Sequence, residues 1–191
     1  MSPRTEIQFE EIRESRRKQI MDVALELFAD KGYAHTSISQ IASKAKISKG
    51  LMYNYFKSKD DLLQNLFEDG MGAMFDLFDQ NRDGVLTRDE FIFFINESFN
   101  LMNQDRRFWK LDFSLLVQPE AWKIFEKNLN EIITPLIHMM TNYYKEKGSE
   151  NPEIEAVMVG ALLDGIGFNY VFNPDMYPLK EVQKMVIERF V

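Results

Sequence analysis

Between Gly32 and Ser58 the chain spells two short helices within some twenty-five residues, and this compression is what most limits its fold. The supporting helix comes first. Ile20, Val23, Ala24, Leu27 and Phe28 follow i, i+3, i+4, i+7, i+8 spacing, a single apolar stripe. Lys31-Gly32 ends it, because glycine readily takes the left-handed conformation of a C-cap. A second helix opens at Thr36 or Ser37, where Ser37 and Gln40 have capping-box spacing, and turns Ile38, Ile41 and Ala42 inward. A third opens at Ser48, a side-chain N-cap, and holds Leu51, Met52 and Tyr55; a fourth follows Ser58 through Leu62, Leu63, Leu66 and Phe67, roughly over 59–78. Two helices this short need small residues where they cross, and Ala42 and Ala45 supply them. Ile47 plugs the turn, and Ser48-Lys49-Gly50 leaves a polar helix tip exposed. These are the requirements of a tri-helical unit that lays the start of its last helix into the major groove of DNA.

Charge agrees with that expectation once its distribution is considered. The whole chain carries a net −7. Residues 12–59 hold ten Lys/Arg against four acids, a local +6, so the remainder carries −13. A basic head on an acidic body is the footprint of a small DNA-reading module.

The stretch Thr36-Ser-Ile-Ser-Gln-Ile-Ala-Ser-Lys-Ala-Lys-Ile-Ser-Lys-Gly-Leu-Met-Tyr-Asn-Tyr-Phe-Lys-Ser-Lys-Asp60 resembles the signature of the TetR family of regulators, and Ala24 to Tyr33 is similar to that family's first helix and its end. The close match covers about residues 16–67. The resemblance implies that Ser37, Tyr53, Tyr55 and Lys59 contact phosphates, while Lys49, Gly50 and Leu51 lie near base edges, with Ser48 a further DNA-binding residue at the helix tip. The family usually has Gly where Lys46 stands, a departure from its pattern; a lysine can adopt a left-handed backbone there at some cost and can add a phosphate contact. The resemblance also implies a homodimer on double-stranded operator DNA, repression as the usual sign, and a variable ligand domain.

Beyond the head, helical periodicity continues at 89–103, 105–116, 120–147, 152–172 and 178–190, with breakers at Pro119, Gly148 with Pro152, and Asn173-Pro174 with Pro178. Strand signals are weak. The expected fold is all-α: a helix-turn-helix DNA-binding domain over 1–58 and a helical ligand-binding and dimerisation domain over 59–191. Phe99, Met102, Trp109, Phe113, Trp122 and Met139, with Phe125 and Met140, are candidates to line a cavity for a small apolar or aromatic ligand. Gly160, Ala161, Gly165 and Gly167, with Met158, Leu162, Ile166, Phe168, Val182, Met185, Val186 and Phe190, mark the last two helices as the dimer surface.

A second motif is unexpected in such a chain. Residues 79–90 read Asp-Gln-Asn-Arg-Asp-Gly-Val-Leu-Thr-Arg-Asp-Glu and resemble an EF-hand calcium loop. Asp79, Asn81 and Asp83 fall at loop places one, three and five, and Gly84 stands at the sharp turn. Val85 offers its carbonyl, Thr87 acts through water, and Glu90 closes the ring with two oxygens. Met74, Phe75 and Phe78 before the loop and Phe91, Phe94 and Ile95 after it suit two helices packing across a bound Ca2+. Calcium there would set the angle between the fourth helix and the next, and so the spacing of the reading heads.

Composition removes other classes. With 45% apolar and 28% charged residues and 16 Phe, the chain can bury a core. It has no Cys and two His, His35 and His138, which excludes disulfides, zinc thiolates and thiol nucleophiles. Asp112, Asp164 and Glu155 are acids that an enzyme could use, but no nucleophile–base pair accompanies them, so neither enzymatic activity nor an organic cofactor is expected. No apolar run nears the roughly 18 residues that span a bilayer, and no signal-peptide core is visible, so a soluble cytoplasmic protein without a membrane partner is expected. The alternative reading is an EF-hand-like calcium sensor that does not bind DNA; the basic head and the single loop weigh against it.

Overall fold

The computed structural model describes residues 6–191, apart from the side chains of residues 6, 71, 73, 75 and 127–132. Its helices are α1 (Glu6–Lys31), α2 (Ile38–Lys44), α3 (Lys49–Met52), α4 (Lys59–Phe78), α5 (Arg88–Gln104), α6 (Arg106–Leu116), α7 (Pro119–Glu146), α8 (Pro152–Phe172) and α9 (Leu179–Phe190). No strand occurs among the described residues. The chain has the all-helical architecture expected, packed as two compact units.

The first unit runs through Glu68 and takes in Ser114–Phe125, the end of α6 and the start of α7. A cut at 58/59 follows the motif; packing instead keeps the first turns of α4 in this unit, because Leu62 and Leu63 are fully buried and Leu66 and Phe67 nearly so. Ile20, Ala24 and Phe28 of α1, Ile41 of α2 and Ala45 at its cap are buried here, as are Met52 of α3 and Phe56 after it. Leu115, Ala121 and Phe125 are also buried, and the Phe125 ring stacks on Phe67 at 4.5 Å. The N-terminal turns of α1 extend the helix beyond the apolar stripe; there Ile7, Phe9 and Ile12 stand exposed.

The second unit comprises Asp69–Phe113 and Glu126–Val191. Its core joins Phe78, Phe91, Ile95, Phe99, Met102 and Trp109 to Met139, Met140, Tyr143 and Tyr144 of α7 and to Ala156, Val159, Ile166, Tyr170 and Val171 of α8. Gly167 is where α8 comes closest: a Cβ there would lie 2.9 Å from Met102 Cε. Helix α8 is long and apolar enough to cross a membrane by length and composition, which corrects the expectation that no stretch qualifies. Its apolar residues instead divide between this core and an exposed face.

Candidate nucleic-acid interface

The tip formed by α2 and α3 is built by local rules. Gly32 ends α1 at φ +85°, and Thr36 Oγ1 donates to the carbonyls of Leu27 and Gly32, turning the chain toward α2. Ser37 caps α2 reciprocally: its Oγ accepts from Gln40 N, and its own N–H donates to Gln40 Oε1 at 2.7 Å. The turn from Ala45 to Ser48 needs one left-handed residue, and Lys46 provides it at φ +58°. Ile47 N–H then reaches back to Ala42 O at 3.0 Å, and the Ile47 side chain is half-buried in the turn. Ser48 Oγ accepts from Leu51 N at 3.0 Å and starts α3.

Around this tip Lys46, Ser48, Lys49 and Gly50 are exposed, as are Leu51 and Tyr53, while Met52 is fully buried behind them. A Cβ at Gly50 would meet nothing closer than Ser48 Oγ at 3.9 Å, so that backbone is open to a close approach. Helix α3 is one turn long. Tyr53 is its C-cap, and Tyr55 lies beyond it, half-buried, rather than within the helix as expected; successive i→i+3 bonds from Asn54 and Tyr55 bend the chain away.

Lys59, at the start of α4, is held rather than loose. Its Nζ donates to Tyr33 O at 2.9 Å and sits 4.1 Å from the centre of the Tyr33 ring. Tyr33 OH donates to Asp60, and burial together with that carboxylate pushes the phenol's pKa up, so it stays protonated. Ser37, Lys46, Lys49, Tyr53 and Lys59 thus belong to one unit, together with Tyr33, a residue that sequence reasoning alone does not single out. The signal is its place directly after the C-cap glycine.

The 79–90 loop joins α4 to α5. Asp79 accepts from Asp83 N (3.2 Å) and Gly84 N (3.0 Å), and Asp83 from Val85 N (2.8 Å). Arg82 and Gly84 take positive φ, 57° and 76°. Glu90 is turned the other way: its carboxylate accepts from Thr87 N at 2.9 Å and from Thr87 Oγ1, the capping box of α5. Among the described residues no three acidic or histidine groups gather closely enough to hold a metal ion. Asp79, Asn81 and Asp83 share one turn of backbone, whereas Glu90 reaches it only after leaving Thr87. Leu86 and Phe78 pack into the core beside the loop; the Phe75 side chain lies outside the described residues.

Of the candidate ligand-contacting side chains, Phe99, Met102, Trp109 and Met139 are buried together in the second unit, and Phe113 packs against them. Trp122 is corrected: it is 39% exposed and lies in the first unit, because α7 begins there and enters the second unit only after Phe125. Phe99 also borders a cleft of about 390 Å³ with Asn103, Tyr170, Tyr177, Lys180 and Gln183. The expected dimer face separates in the same way. Met158, Ala161, Phe168 and Met185 are exposed, while Ile166, Gly167 and Val186 belong to the core.

Compared with known proteins, residues 20–66 match the family described as "Bacterial regulatory proteins, tetR family". The chain is 25% identical over 185 residues, covering 91% of it and 92% of the relative, to the fatty acid metabolism regulator protein of Bacillus subtilis (strain 168). It is 54% identical over 50 residues to the HTH-type transcriptional regulator HbdR of Aromatoleum sp. (strain CIB), 26% of this chain and 22% of that one. Among solved structures, the regulator FadR of Bacillus subtilis in complex with stearoyl-CoA shares the fold at TM-score 0.71 and 24% identity, covering 91% of this chain and 97% of that one.

Proposed function

From a chain whose residues 20–66 form a tetR-family regulatory domain, within the all-helical fold of such regulators, we propose a cytoplasmic homodimeric repressor that reads duplex operator DNA through α3 and releases it on binding a long-chain acyl ligand. The observation that carries this reading is the exposed Lys49-Gly50-Leu51 tip, capped by Ser48 and backed by the buried Met52. Backbone and lysine at such a tip can approach base edges, while Ser37, Lys46, Tyr53 and Lys59 stand at its flanks for phosphates.

Dimerisation is supported by Ile154, Val157, Met158, Phe168 and Phe172 on α8 and Met185 on α9, each between 39% and 66% exposed. A helix apolar on two faces satisfies one in the core and needs a second partner, and two heads read two half-sites. The acyl ligand is argued from the aromatic and methionine-rich second unit and from likeness to a fatty acid metabolism regulator. In a gel shift on the DNA upstream of its own gene, Lys49→Ala should weaken specific binding by roughly 5- to 150-fold, and Tyr53→Phe should weaken it more evenly across sequences. Stearoyl-CoA should release the DNA. Unchanged binding by Lys49→Ala would refute the assignment of α3.

The 79–90 loop supports a second reading, that this regulator takes calcium. Arg82 and Gly84 already have the backbone turn that such a loop requires, and Asp79, Asn81 and Asp83 curl around it. Those three side chains, the Val85 carbonyl and Glu90 rotated away from Thr87 would hold the ion, with Thr87 acting through water. A divalent cation there would neutralise the carboxylates and tie the end of α4 to the start of α5.

A further inference from the structure

At the C-terminus of α1 a side chain takes the place of one backbone closure bond. With Gly32 as the left-handed residue, the usual closure bonds the N–H of Tyr33 directly to the carbonyl of Phe28. Here a side-chain amide from far along the chain is inserted between those two groups. Gln118 Oε1 accepts from Tyr33 N at 2.8 Å, and Gln118 Nε2 donates to Phe28 O at 3.3 Å. The same nitrogen also donates to Ser114 O at 3.3 Å, in the last turn of α6. All four residues belong to the first unit.

What this amide holds is the partner of Lys59. Tyr33 is 5% exposed and has little freedom: its N–H is on Gln118, its carbonyl on Lys59 Nζ, its ring under the same ammonium, and its hydroxyl on Asp60. The path from Gln118 to the first turn of α4 therefore runs through one residue. Lys59 uses one of its three N–H donors on Tyr33, which leaves two for phosphate oxygens. Ser114 and Gln118 lie at the α6–α7 connection, where both helices run on into the second unit.

We infer that Gln118 is a positioning residue for DNA binding: its amide, inserted into the C-cap of α1, fixes Tyr33 and through it aims Lys59 at the phosphate backbone. This rests on the DNA-reading function proposed above. Loss of the amide leaves the Phe28 carbonyl and the Tyr33 N–H to find each other directly, which draws Tyr33, and Lys59 with it, toward α1.

The test uses the full-length protein and an operator selected by the wild type from a randomised duplex library. Affinity is measured by fluorescence anisotropy across a series of salt concentrations, under conditions where circular dichroism shows each variant folded. Gln118→Met keeps the length and removes every hydrogen bond. It should weaken binding about tenfold and lower the slope of log affinity against log salt by about 0.9, the loss of one phosphate contact. Lys59→Met should do the same, and the double variant should be no worse than either alone. Gln118→Glu retains the acceptor for Tyr33 and should fall between wild type and Gln118→Met; it also carries the test if Gln118→Met does not fold. An unchanged salt slope in the Gln118 variants, or effects that multiply with Lys59→Met, would overturn the inference, since a merely structural role changes stability without removing a counterion. Failure of the wild type to select any duplex would instead overturn the DNA-reading function on which it rests.

Discussion

Asp112 offers a measurable consequence of burial. It lies on α6 with Phe108 and Trp109 one turn before it and Leu115 one turn after, and only 8% of it is exposed. Among the described residues it has no hydrogen-bond or ion-pair partner, and burial raises its carboxyl from 3.8 to about 7. The folded protein therefore holds this proton more tightly than the unfolded chain does. Below about pH 4 both states are protonated and the group costs nothing. As pH rises toward 7 the unfolded chain ionises first, so stability falls; above about 7 the penalty is complete. A rise of about three pH units, at about 1.4 kcal/mol each, sets it at about 4 kcal/mol. Asp112→Asn has nearly the same shape and no titration. Urea unfolding of both proteins at pH 5, 6, 7 and 8, at one fixed protein concentration, should show the wild type losing stability relative to Asp112→Asn by about 2–3 kcal/mol between pH 5 and pH 8. The amide can shift the whole curve, so the slope is the quantity that decides. A difference that stays constant over this range would refute the reasoning.

Two further substitutions follow from backbone and ligand geometry. Lys46→Gly should raise the thermal midpoint, since φ +58° is a conformation that costs lysine about 1 kcal/mol, and should at the same time weaken DNA binding and its salt dependence if the lysine reaches a phosphate. Differential scanning calorimetry beside anisotropy would reveal the opposed signs, and a loss on both counts would contradict the assignment of strain to this residue. For the 79–90 loop, isothermal titration with calcium should give heat that Glu90→Gln abolishes, and calcium at a hundred times its Kd should stabilise the wild type by about 2.7 kcal/mol. No heat in the wild type would remove the calcium reading.

Features that depend on neighbours a few residues away are legible in the sequence. The Ser37–Gln40 capping box, the Gly32 stop, the left-handed Lys46 and the extent of α4 and α8 follow from local hydrogen-bonding capacity and helical period. Features set by long-range packing are not. Trp122 and Phe125 lie one turn apart on α7, and nothing in their spacing says that this turn belongs with α1 rather than α8. Gly167 reads in the sequence as room for a second protomer, whereas the space is filled by Met102 of the same chain. Gln118 stands in an unremarkable Val-Gln-Pro turn, and its meaning emerges only with Phe28 and Tyr33, some ninety residues earlier. The first turns of α1 carry no apolar period, so the sequence marks this helix only from the stripe that begins at Ile20.

The insertion of Ser114–Phe125 into the first unit makes that unit, the proposed DNA-reading head, a garment sewn from two pieces of cloth. A fragment cut after Glu68 would lack Leu115, Ala121 and Phe125 and expose the face of Phe67 on which Phe125 stacks. Removing side chains of that size from a core costs several kcal/mol in all. A chimera that grafts this unit onto another protein's body must therefore carry the α6–α7 connection along with it.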